Sequence, residues 1–130
     1  MAQVAFTITE FNHLANLAAS LMKARKQMTQ GEWKKPQHQA VKSFAAKFAA
    51  PVAEDELTAI ERILTRNDAR LIQEACSMSL RILEDNIIPE YQSRIHKEKE
   101  KAPLYAPYLE KATQSASVNK SLIEKIEGML

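Results

Sequence analysis

At 130 residues, 45% hydrophobic and with a formal net charge of +2, the chain has the size and apolar content of a single domain with a modest core, and not the low hydrophobicity and high charge of a disordered segment. Two glycines in the whole chain and no alternating β-branched runs leave hairpins and strands without local support, so an all-α chain is expected. A lone cysteine excludes an internal disulfide and suits a reducing compartment. With no leader-like N-terminus and no membrane-length apolar run, a cytoplasmic protein without membrane contact is expected.

Thr7-Ile8-Thr9-Glu10 has the form of a capping box, in which hydroxyl and carboxylate satisfy each other's backbone donors, and it predicts a helix from about residue 8. Ile8, Phe11, Leu14, Ala15, Leu17, Ala18, Leu21, Met22 and Met28 recur at helical spacing, with Gly31 as a stop. Pro36 suits the first turn of a second helix with Val41, Phe44, Ala45 and Phe48 on its apolar stripe, and Pro51 closes it. Glu54, Asp55 and Glu56, followed by Arg62 and Arg66, fit the dipole of a third helix that turns Leu57, Ile60, Ile63 and Leu64 inward.

Asn67-Asp68 predicts the cap of a long central helix carrying Leu71, Ile72, Ala75, Cys76, Ser79, Ile82, Leu83 and Ile87. Pro89 kinks or ends it, and a charged extension continues from Glu90 to Lys101. Pro103 and Pro107 bracket a turn before a last helix with Leu109, Ala112, Ala116, Ile123, Ile126 and Leu130 on one face, which Ser115-Ala116-Ser117 is placed to break. Short links make neighbouring helices antiparallel, so the expected fold is a single-domain up-and-down bundle of about four to six helices spanning residues 1–130.

Chemistry has little support. Glu10 and His13 have the Glu-x-x-His spacing of a bundle metal site, but such sites use the motif twice, and His38 and His96 lie in polar segments beside lysines, so no metal is expected. Cys76 sits on an apolar stripe without a histidine neighbour in sequence, the setting of a buried structural thiol. Two isolated glycines make no phosphate loop, so neither a nucleotide cofactor nor any other is expected, and the chain is read as a binding protein and not an enzyme.

Charge is unevenly spread, with seven of the Lys/Arg and two of the Asp/Glu in residues 1–50, so the remainder is net negative. Lys23, Arg25, Lys26, Trp33, Lys34, Lys35, Lys42 and Lys47 place cations around one aromatic, a pattern suited to single-stranded or duplex nucleic-acid backbone. Helix-end lysines that complement the dipole, with a tryptophan covering the bundle's end, are the plainer account. Ile88, Tyr91, Leu104, Tyr105 and Tyr108 form a candidate protein interface, while the methionines Met22, Met28 and Met78 are expected in the core. The function expected is therefore a helical subunit or adaptor that docks on other proteins, comparable in size, charge and fold with small subunits of RNA-guided nucleoprotein complexes. The alternative is a regulator or inhibitor binding one target protein through the tyrosine surface.

Overall fold

Helix α1 (Ile8–Gln27) begins where Thr7 caps it: the Thr7 N–H donates to Glu10 Oε1 at 2.9 Å and the Glu10 N–H to Thr7 Oγ1 at 3.1 Å, the reciprocal pair expected of a capping box. A computed structural model describes residues 2–27, 35–49 and 59–130, which pack as two compact units, Met1–Ile72 with Met129–Leu130, and Gln73–Gly128. The chain is mostly helical, with one small two-stranded sheet.

In the first unit, α1 turns Phe11, Leu14, Ala15 and Ala18 into the core, and α2 (Lys35–Lys47), with Pro36 in its first turn, adds Val41 and Phe44. Phe48 follows directly and is the centre of the cluster: its ring lies 5.7 Å from Phe6, 5.4 Å from Phe11 and 5.1 Å from Phe44. The stops expected at Gly31 and Pro51, together with Met28 and the 54–58 segment of the expected third helix, lie outside the described residues.

Residues 60–64 correct the sequence reading. They form strand β2 (Ile60–Leu64), antiparallel to β1 (Ala2–Phe6), with Val4 opposite Arg62 and Phe6 opposite Ile60. Ile60, Ile63 and Leu64 fit helical spacing, but burial follows the strand period: Leu64 is buried while Ile63 is 58% exposed. Pairing with β1 decides the conformation, as tertiary context does for strands of weak intrinsic preference. Arg62 then lies over the Phe11 ring at 4.9 Å and donates from Nε to the carbonyl of Lys47 at 3.0 Å, satisfying an acceptor at the end of α2.

Helix α3 (Arg66–Ile82) contributes to both units; its N-cap residue is Thr65, before the expected Asn67-Asp68, and of that pair Asp68 supplies the carboxylate of the cap. The Thr65 N–H donates to Asp68 Oδ2 at 2.9 Å and the Asp68 N–H to Thr65 Oγ1 at 3.2 Å, a second capping box with aspartate in the glutamate position. Asp68 is 1% exposed and also takes the ammonium of Lys47, which ties the end of α2 to the start of α3.

In the second unit Pro89 does not end the helical path. The chain passes from α3 through one π turn (Leu83–Ile87) into α4 (Ile88–Lys97), with the Ile88 N–H bonded to the Leu83 carbonyl, five residues back. A proline inside an α-helix presses on the carbonyl four residues earlier; a turn widened by one residue moves that carbonyl away. After a short 3₁₀ turn (Lys99–Lys101), α5 (Ala102–Glu127) takes Pro103 in its first turn and Pro107 in its interior, so the two prolines do not bracket a turn. Nor does Ser115-Ala116-Ser117 break the helix: Ala116 and Ala112 pack on Leu83, with Leu80, Ile87 and Ile88 around them. Asn119, fully buried, donates from Nδ2 to Ser79 Oγ at 3.2 Å.

Candidate docking surface

The described part of the basic half offers two free-standing lysines. Lys23 on α1 and Lys42 on α2 are exposed, whereas Lys47 is held by Asp68. Trp33 and Lys34 lie outside the described residues, as do the side chains of Arg25, Lys26 and Lys35. Glu10, the carboxylate of the Glu-x-x-His spacing, is 4% exposed and engaged in the α1 cap; among the described residues no three His, Cys, Asp or Glu side chains come together as a metal site. Cys76 is 1% exposed, and burial pushes its thiol up to about 11, which keeps it protonated and unreactive at neutral pH.

The five residues expected at a protein interface separate into two environments. Ile88 is half-buried and packs against the Leu83 cluster, so it supports the surface from below. Tyr91, Tyr105 and Tyr108 form an aromatic group between α4 and α5: Tyr91 stacks on Tyr108 at 5.9 Å with planes 11° apart and tilts against Tyr105 at 6.4 Å. Tyr105 is fixed by its hydroxyl, which donates to Glu98 Oε2 at 3.0 Å, and by the Arg94 guanidinium 5.8 Å above its ring. Tyr108 and Leu104, one helical turn apart, stay 57% and 65% exposed.

Beside this aromatic group an open groove of about 670 Å³ is lined by Asp85, Asn86, Ile87, Pro89, Glu90, Tyr91 and Arg94. The π turn presents Asp85, Asn86 and Ile87, and the first two turns of α4 present the rest. Arg94 Nε donates to Glu90 Oε1 at 2.9 Å; that hydrogen bond and the carboxylate's charge raise the guanidinium's pKa above its ordinary value. Asp85, Asn86 and Arg94 were not legible as site residues in the sequence, because a π turn leaves no compositional mark beyond the proline that follows it. Met78, expected in the core, is 66% exposed, and Ile82, one turn on, is 45% exposed.

No protein-family model, no curated protein and no solved structure matches this chain. No helix among the described residues is long and apolar enough to cross a membrane.

Proposed function

We propose that the chain is a non-enzymatic helical docking subunit, one that holds a partner protein on the tyrosine surface of α4 and α5. The observation that carries this reading is the Tyr91–Tyr108 stack, with Tyr108 and Leu104 left 57% and 65% exposed beside it. Large apolar side chains held rigid at the surface lose little conformational entropy on binding, and tyrosine combines apolar area with a polar tip, which is why it is frequent among the residues that dominate interfaces. The support for a non-catalytic role is chemical: the one thiol is buried, and the groove's cation, Arg94, is engaged by Glu90.

The test is a photo-reactive phenylalanine placed at position 108 in cells expressing the chain, with the same group at Ser117, an exposed position on α5, as reference. A discrete protein adduct at 108 that Leu104→Asp abolishes is the expected result. Equal adducts at 108 and 117 would remove the reading.

A second reading lays the basic N-terminal half along a nucleic-acid backbone and draws on exposed Lys23 and Lys42. It requires anisotropy of labelled oligonucleotides to rise with protein at low salt, to fall steeply with added salt, and to be lost in Lys23→Glu with Lys42→Glu.

A further inference from the structure

Among the carboxylates of the π turn and α4, two are already neutralised: Glu84 by Lys120 at 3.2 Å and Glu90 by Arg94 at 2.9 Å. Asp85, exposed on the groove wall, has no ion-pair partner among the described residues. It shares the groove lining with Asn86 and with the apolar residues Ile87, Pro89 and Tyr91, and Tyr91 stacks on Tyr108.

Three kinds of partner surface meet this arrangement differently. An acidic segment brings its charge against Asp85, the carboxylate left without an ion-pair partner among the described residues. A wholly apolar segment strips water from Asp85 and returns no hydrogen bond, which weakens binding. A lysine or arginine suits both kinds of lining residue at once: its methylene stem covers apolar side chains while its charged head pairs with the carboxylate, and the electron-rich faces of the tyrosines add attraction for a cation. We infer that the groove binds a basic amphipathic segment of a partner protein, seating one Lys or Arg on Asp85 and the flanking apolar side chains on Tyr91 and Tyr108. The inference rests on the docking reading above and names the chemistry of its partner.

The experiment uses the full chain and three fluorescein-labelled synthetic helical peptides, built of leucine with lysine, with glutamine or with glutamate at the polar positions. The lysine peptide binds best, binding weakens with salt, and Asp85→Lys weakens it about tenfold or more. Glu127→Lys, the same charge change at an exposed position at the far end of α5, leaves it unaltered. Circular dichroism confirms that both variants fold. Equal binding of the three peptides, insensitivity to Asp85→Lys, or no binding of the lysine peptide would each overturn the inference, whereas the docking reading stands or falls on the Tyr108 adduct. If the protein alone self-associates in sedimentation and Asp85→Lys abolishes this, the groove belongs to a second copy's basic half, and the assignment to a separate partner is overturned.

Discussion

Tyr91 and Tyr108 lie ring on ring, 5.9 Å apart and 11° from parallel, with more than half of Tyr108 left in solvent. A half-exposed aromatic pair adds on the order of 1 kcal/mol to folding, far less than a fully buried phenylalanine such as Phe44. Tyr108→Ala is therefore expected to lower unfolding free energy by about 1 kcal/mol and Leu104→Ser by about 0.5 kcal/mol or less, both read from urea denaturation. Each is expected to abolish the proposed partner binding despite that small cost. A stability loss of about 3 kcal/mol at Tyr108 would make the stack a core feature and not a docking one.

Asp68 serves two elements at once, as acceptor for the Thr65 N–H that opens α3 and as counter-ion for Lys47 at the end of α2. Thr65→Ala removes one side of the cap and is expected to cost about 1 kcal/mol. Asp68→Ala removes the cap and leaves a partly buried ammonium unpaired, for about 2–4 kcal/mol in all. Lys47→Met keeps the cap and falls between the two. A double-mutant cycle across Asp68 and Lys47 that shows no coupling would make the pair incidental to the junction.

The two capping boxes show what kind of information the sequence carries plainly. Thr7 and Glu10 were readable because hydroxyl, spacing and glutamate coincide before an apolar run; Thr65 and Asp68 make the same hydrogen bonds, but Asn67 beside them offered an equally good local cap. Strand β2 was not readable, because Ile60, Ile63 and Leu64 satisfy a helical period and only their pairing with Ala2–Phe6 selects the extended form. The tyrosines of the candidate surface were legible as residues, by their proximity to prolines. The groove was not, since it depends on a turn type that local propensity does not encode.

Cys76 gives a prediction with a defined pH window. Burial raises its pKa from the ordinary 9.0 to about 11 in the folded chain. The folded state therefore binds the thiol proton more tightly than the unfolded state. The associated stability is fully present below pH 9.0 and is lost as pH rises toward about 11. A thiol-reactive dye at pH 8 is expected to leave the native chain unmodified over a time in which the urea-unfolded chain reacts completely. Rapid labelling of the native protein would show that the thiol is open to solvent and that burial does not hold its proton.

The π turn at Leu83–Ile87 resolves a conflict between two requirements of the same segment. Helical burial must continue past Leu83 so that Ile87 and Ile88 flank the contact of Leu83 with Ala112 and Ala116, yet Pro89 strains an ordinary α-helical turn before it. The added residue lifts the conflict, and it also sets the azimuth of α4, since one residue corresponds to about 100° of rotation. Deleting Asn86 is expected to return the segment to α-helical register, press Pro89 on the preceding turn at a cost of about 3 kcal/mol, and rotate Tyr91 away from Tyr108. Adding Pro89→Ala to the deletion should recover most of the stability in urea denaturation. The near-ultraviolet circular dichroism of the tyrosines should stay altered, because the rotation persists. If the double variant regains both the stability and the tyrosine spectrum, the π turn only accommodates a proline; if the spectrum alone remains lost, the π turn is what aims Tyr91 into the docking surface.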